Sequence, residues 1–153
     1  MKEVCSNFVS YKNNAMNYKE IARETIGYLY QSHASIRRSG LDNTLIALAE
    51  LRTSQLNGCS YCCSFHANEL REMGVSQNLI DKIPGYQHSV SFDEKQQLVL
   101  RWTDAVCSLS PNLEKIKNDL GKLFSEKEIV ELTASIALMN ALNRLRITLG
   151  EKF

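Results

Sequence analysis

Apolar side chains recur every three to four residues along most of the chain, which is the period of an α-helix that packs by one face. No segment alternates apolar and polar residues as a half-buried strand would, and the chain has only seven glycines and two prolines. The predicted helices cover about residues 17–33, 42–56, 59–73, 76–83, 92 onwards, 111–123 and 126 onwards. The sequence therefore predicts an all-α fold, with residues 1–153 in one domain.

Local motifs predict where several of these helices begin and end. Ser91-Phe-Asp-Glu94 and Ser125-Glu-Lys-Glu128 fit the capping box, in which Ser and Glu satisfy each other's exposed backbone N–H groups. Pro84-Gly85 is expected to end a helix, and Pro111 suits the first turn of another. Asn57-Gly58 tolerates left-handed backbone, so a tight turn is expected there.

The last predicted helix is apolar almost all round. Its apolar residues are Leu132, Ile136, Ala137, Leu138, Met139, Leu142, Leu145 and Leu149. Such a helix must be covered on all sides, either at the centre of a monomer or with the help of a second subunit. We expect the second arrangement, a homo-oligomer. The longest apolar stretch, residues 134–139, is far shorter than the roughly 20 residues needed to span a bilayer.

Charge and cysteine usage narrow the class of protein. The net charge is +1 with Lys and Arg dispersed, which argues against nucleic acid or an anionic membrane as a partner. The first residues contain no apolar run of signal-peptide length. Five cysteines, an odd number, argue against a structural disulfide framework, so we expect a cytoplasmic protein whose thiols are mostly reduced.

The run Cys59-Ser-Tyr-Cys-Cys-Ser-Phe-His66 is the stretch that points to chemistry. On a helix, where each residue turns the chain by about 100°, Cys62 lies near −60° and His66 near −20° relative to Cys59. All three then share one face. A position in the first turn of a helix would favour a thiolate, because unpaired N–H groups and the positive end of the dipole lie there.

Other chemistries for this run remain open to comparison. A c-type haem site would need His directly after the second Cys, but position 63 is Cys. A thioredoxin-type site follows a strand, whereas this motif follows a helix. A zinc ion is usually bound from two segments, and the other candidate ligands are isolated. The zinc set would be Cys59, Cys62, Cys63 and His66, and the isolated residues are Cys5, Cys107, His33 and His88. Simple packing of the cysteines in a helix face is a further possibility.

The stretch from Leu51 to His66, with its Ser-Gln-Leu-Asn-Gly-Cys-Ser-Tyr-Cys core, resembles the central motif of the alkyl hydroperoxidase D-like proteins of the carboxymuconolactone decarboxylase family. Phe124–Leu132 and Asn140–Arg144 are similar to the C-terminal helix of that family, including its Asn-Arg ending. The resemblance covers about residues 10 to 148.

This resemblance implies a helical protein that forms trimers or hexamers and uses no metal or cofactor. It implies a thiol peroxidase, or a disulfide-exchange oxidoreductase, that reduces hydroperoxides with a dithiol protein as reductant. Cys62 would attack the peroxide, Cys59 would resolve the product as a disulfide, and His66 would be the acid–base partner. Members that decarboxylate the lactone generally lack the Cys pair, which favours the redox function here.

The sequence departs from the family at the carboxylate of the proton relay, because Ala47 stands where the family usually has Glu. Glu50 lies three residues later, about 60° round the same helix, and is the expected replacement. Its alternative is a solvated surface glutamate. Cys63 is either a second resolving thiol or, as we favour, a packed residue.

Two other functions stay open. The chain could be a redox sensor that oxidises once without catalysis, or a lactone-handling lyase with a vestigial Cys pair. We expect His33, His88 and Trp102 to be structural.

Overall fold

A computed structural model of the chain describes residues 15–150 and builds them mainly from α-helices. In chain order these are α1 (Tyr18–Ile21), α2 (Arg23–Arg37), α3 (Asn43–Asn57), α4 (Ser60–Glu72), α5 (Gln77–Asp81), a 3₁₀ helix (Ile83–His88), α6 (Glu94–Ser108), α7 (Leu113–Leu120) and α8 (Glu126–Leu149). Within the described range no residue belongs to a β-strand. The all-α prediction is confirmed; Cys5 lies outside the described residues.

Helix α3 is the central helix, since it packs against α4, α6 and α8. It begins after Asp42, whose side chain accepts a hydrogen bond from the Thr44 backbone N–H. It ends at Gly58, where a φ of 69° turns the chain into α4 as the Asn57-Gly58 motif predicts. Every residue from 45 to 51 is buried. A charged residue in this segment is therefore held in the interior.

The two predicted capping boxes have different outcomes. The box at Ser125 is confirmed and starts α8. The predicted start of α6 at Ser91 is wrong, because Asp93 caps the helix and Gln96 completes the box. Asp is as good an N-cap as Ser, and the later start leaves Phe92 outside the helix. There its ring is buried in the hydrophobic interior.

Three other helix limits also differ from prediction. The first predicted helix is broken at Ala22, where φ is −120° and ψ is 48°, and its second part runs on to Arg37. Pro84 does not end the helical path, because the 3₁₀ helix accepts a proline in its first turn. Helix α7 starts later than predicted, so Pro111 lies ahead of its first turn. The extension of α2 matters most, since it brings Arg37 into the site described below.

Two hydrophobic clusters fill the interior on either side of α3. One joins α3 to α6, α7 and α8, and the other joins it to α4, α5, the 3₁₀ helix and α6. Helix α8 buries Leu132, Ile136 and Met139 completely, whereas Leu138 and Leu142 are only partly buried in the single chain. Its cover by a second subunit remains a prediction. Across residues 15–150, every helix is too short or too polar to cross a membrane.

Candidate active site

The two cysteines of the motif lie at the start of α4. Cys59 is the N-cap, and its sulfur accepts a hydrogen bond from the Cys62 backbone N–H at 3.4 Å. Their Cα atoms are 5.3 Å apart, and a disulfide joins them. The helix start therefore holds both sulfurs on one face, where the N-terminal N–H groups favour a negatively charged sulfur.

The two sulfurs differ in their surroundings. Cys59 is 2% exposed and Cys62 is 8% exposed. Cys62 lines a cavity of about 240 Å³, and His66, one turn further along α4, lines the same cavity. A small molecule in this cavity meets Cys62, while Cys59 lies behind it.

Glu50 is completely buried behind this cavity. One carboxylate oxygen accepts a hydrogen bond from Ser135 Oγ at 2.9 Å and lies 3.0 Å from His33 Nε2. The other oxygen forms an ion pair with the Arg37 guanidinium and lies 3.5 Å from His66 Nδ1. The structure thus excludes a solvated surface role for Glu50.

Ala47, where the family usually has Glu, is also fully buried, but among apolar side chains of the second cluster. A carboxylate there would be surrounded by groups that cannot compensate its charge. Glu50 points instead toward Arg37 and His66. The carboxylate of the site therefore comes from the position predicted as the replacement.

A second carboxylate, Glu69, contacts His66 from the same helix. Its Oε2 lies 3.1 Å from His66 Nδ1 and accepts a hydrogen bond from Arg37 at 2.9 Å. The Arg37 guanidinium thus bridges Glu50 and Glu69. With Nδ1 of His66 held by carboxylates, Nε2 is the ring nitrogen left for a group in the cavity.

The positive groups keep both carboxyl groups ionised. Burial raises the pKa of Glu50, but contact with His33 and the charge of Arg37 outweigh it and hold that pKa below its ordinary value. Burial likewise raises the pKa of Glu69, and hydrogen bonding to His66 with the charge of Arg37 brings it below its usual range. This cluster is therefore designed around charge, not around neutral carboxylic acids.

The depressed pKa values predict a loss of stability in acid. Such a group stabilises the fold above its unfolded-state pKa, which is 4.5 for Glu, and this contribution is lost as the pH falls through the folded-state value. We expect the free energy of unfolding, measured in urea, to decrease from about pH 5 downwards. The decrease should be shallower in Glu50→Gln than in a control, Glu72→Gln, at an exposed position. Equal pH slopes in the two variants would contradict this assignment.

Donor atoms of Glu50, His66 and Glu69 lie within 4.8 Å of one another, a spacing that a metal ion can use. However, the Arg37 guanidinium already lies between the two carboxylates and neutralises them. The zinc set proposed from the motif is not assembled either, because two of its sulfurs are joined in the disulfide. Its third sulfur, Cys63, packs at the edge of the second cluster, where burial raises the pKa of its thiol.

A polar network fixes the turn that precedes Cys59. The Asn57 side chain donates hydrogen bonds to the side-chain oxygens of Asn140 and Asn143, at 3.0 and 3.2 Å. Asn143 is fully buried and also bonds to Ser54. Arg144 donates to the Asn140 carbonyl and side chain. The Asn-Arg segment of α8 thus anchors the end of α3 and, through it, the start of the cysteine helix.

Several residues of the site were not predicted. Arg37 and Ser135 come from α2 and α8, and nothing local in the sequence links them to the motif. His33, expected to be structural, contacts Glu50 and also lines the cavity. Glu69 does have a local signal, since it lies three residues after His66 and so on the same face of α4.

Comparison with known proteins gives consistent matches. The model of the Carboxymuconolactone decarboxylase family matches residues 23–105. The uncharacterized protein YdfG of Bacillus subtilis is 23% identical over 140 residues, which is 90% of this chain and 95% of YdfG. Two uncharacterized proteins of Mycobacterium tuberculosis, MT2376 and Rv2313c, are each 30% identical over 118 residues. That match covers 76% of this chain but only 41% of either mycobacterial protein.

A solved structure has the same fold. It is ATU0492 from Agrobacterium tumefaciens, a protein of unknown function that is provisionally described as the antioxidant defence protein AhpD. The TM-score is 0.84 and the identity is 28%, with 90% of this chain and 95% of that chain covered.

Proposed function

The chain belongs to the carboxymuconolactone decarboxylase family and is AhpD-like, and from its site we propose that it is a thiol peroxidase that reduces organic hydroperoxides through Cys59 and Cys62. The observation that carries this proposal is a cysteine pair at disulfide spacing, with one of its sulfurs on a cavity and an imidazole on the same wall. The provisional description of ATU0492 as an antioxidant defence protein supports the same function.

In the first step the Cys62 thiolate attacks the terminal oxygen of the hydroperoxide. The O–O bond breaks, Cys62 becomes a sulfenic acid, and the departing alkoxide takes a proton to leave as an alcohol. His66 is the proposed proton donor, because it lines the cavity with Cys62 and its Nδ1 is held by carboxylates. The low exposure of Cys62 limits the competing hydration of its thiolate.

In the second step the Cys59 thiol condenses with the sulfenic acid. The new S–S bond forms and water leaves, which gives the disulfide present in the structure. A dithiol protein then reduces this disulfide by exchange, and its own thiols become oxidised. The cycle consumes one hydroperoxide and one dithiol and forms one alcohol, one water and one oxidised reductant.

The proposed relay uses Glu50 and Glu69 in different roles. Glu50 is fully buried and ion-paired, so its main effect is to keep positive charge on Arg37 and the histidines close to the thiols. Glu69 is 23% exposed and contacts His66, so it offers the imidazole a path to solvent protons. Both groups hold the ring in the orientation that leaves Nε2 for the cavity.

The cellular setting belongs to the proposal as well. A dithiol reductant and free thiols fit a reducing compartment, which favours the cytoplasm. The half-exposed leucines of α8, among them Leu138 and Leu142, favour assembly with further copies of the chain.

A single-turnover experiment tests the proposed function. Reduced protein is mixed with one equivalent of cumene hydroperoxide, and free thiols are counted by alkylation and mass spectrometry. We expect two thiols to be lost per chain and one equivalent of alcohol to form, with the new disulfide between Cys59 and Cys62. Cys63→Ser, which removes a neighbouring packed thiol, is the matched control and should behave like the wild type. Unchanged thiols, or turnover of carboxymuconolactone instead, would replace the peroxidase by the lyase.

A further inference from the structure

The cavity beside Cys62 has an apolar wall. Its apolar and aromatic lining residues are Tyr30, Tyr61, Phe65, Met139 and Leu142. Tyr61 and Phe65 are about half exposed, and their rings stack with centroids 6.4 Å apart at the mouth of the cavity. Such a wall binds a hydrocarbon group by excluding water from it.

The same cavity has two cationic side chains on its wall. The ammonium of Lys19 lies 5.1 Å from the centroid of the Tyr30 ring, and the guanidinium of Arg146 lies 4.0 Å from that of Tyr61. Hydrogen bonding with Tyr30 raises the pKa of Lys19, so its ammonium stays charged at neutral pH. Among the described residues that line the cavity, none is Asp or Glu.

The carboxylates behind the cavity do not cancel this charge. Glu50 and Glu69 lie beyond the two histidines, and both form ion pairs with Arg37. With neutral histidines this inner cluster carries a net charge of −1, whereas Lys19 and Arg146 contribute +2 at the cavity wall. Because the cations face the space that a ligand would occupy, the local field there favours an anion.

Size sets a further limit on the ligand. The volume of about 240 Å³ lies below the roughly 300–1,000 Å³ typical of sites for drug-sized molecules. A ring or short chain with one small anionic group fits this space, whereas a bulky cofactor does not.

We propose that this cavity selects small organic hydroperoxides that carry a carboxylate, with the hydrocarbon part against the aromatic wall and the carboxylate at Lys19 and Arg146. This substrate class rests on the proposed peroxidase function. The peroxide group would then lie at Cys62 and the carboxylate at the cationic side of the cavity.

The test compares cumene hydroperoxide with its para-carboxylate and with the methyl ester of that acid. For the wild type we expect the carboxylate to have the lowest KM, by about tenfold relative to the ester, with similar kcat values. Lys19→Gln, at an exposed position where folding is not at risk, should remove most of that difference and leave the neutral substrates unaffected. Lys122→Gln, which removes an exposed lysine paired with Asp119, should leave the KM of all three compounds unchanged.

Arg146 provides a second pair of variants. Arg146→Gln should raise the KM for the carboxylate alone, and Arg146→Lys, which keeps the positive charge, should restore most of the selectivity. Equal KM values for the acid and its ester in the wild type, or an unchanged preference in Lys19→Gln and Arg146→Gln, would overturn the proposal.

Binding without reaction separates this proposal from the peroxidase function. The non-reactive probe is 4-(2-hydroxypropan-2-yl)benzoate, the alcohol that the carboxylate substrate would yield, and calorimetry measures its affinity. We expect the wild type to bind this alcohol, and Lys19→Gln to bind it about tenfold more weakly. This result would support the anion site even if no hydroperoxide were turned over, whereas the absence of binding by the wild type would overturn it.

Discussion

A Cys62→Ser variant is expected to reduce no hydroperoxide above the rate measured without protein. The serine hydroxyl cannot form the thiolate nucleophile, and no other thiol of α4 lines the cavity. Cys59 is nearly inaccessible, and burial raises the pKa of the Cys63 thiol. The assay follows alcohol formation from cumene hydroperoxide with dithiothreitol in excess.

The Cys59→Ser variant should behave differently. Its Cys62 can still attack once, so one equivalent of alcohol forms and a sulfenic acid accumulates, which a dimedone probe traps. Further turnover should be much slower, because the intramolecular disulfide is lost. Cys63→Ser is again the control and should keep the wild-type rate. An active Cys62→Ser variant, or identical behaviour of the variants at positions 59 and 62, would contradict the assigned roles.

Replacement of Arg37 by Met should cause the largest loss of stability. The substitution leaves Glu50 fully buried without its principal countercharge and frees Glu69 from the same guanidinium. Removal of one partner of a buried ion pair typically costs about 3–5 kcal/mol, and we expect a loss of that size in urea denaturation. The exposed pair between Arg23 and Glu20 offers a control, and Arg23→Met should change stability little.

A double variant separates charge from packing. If the loss arises from the stranded carboxylate, Arg37→Met combined with Glu50→Gln should be more stable than Arg37→Met alone. A double variant whose losses simply add, or an Arg37→Met protein as stable as the wild type, would contradict the charge argument.

The parts of the site that the sequence predicts depend on local geometry. The positions of Cys59, Cys62 and His66 follow from the helical repeat and from the turn at Asn57-Gly58. These signals act over one or two turns, so neighbouring residues determine them. For the same reason the all-helical fold and the confirmed capping box at Ser125 were predictable.

The other parts depend on contacts between distant segments. Spacing indicates that Glu50 lies near the motif helix, but its burial is compensated by Arg37 from α2 and Ser135 from α8. Those partners are defined only when the helices pack. The end of α2 shows the same dependence, because the predicted limit near His33 would place Arg37 outside the helix that carries it to the carboxylates.

The most direct test of the central claim is the number of hydroperoxide molecules that one wild-type chain reduces when dithiothreitol is in excess. The proposed cycle predicts many molecules of alcohol per chain, with oxidised dithiothreitol formed in equal amount. A single equivalent followed by arrest would indicate a redox sensor, and no alcohol at all would exclude a peroxidase; either result would contradict the account.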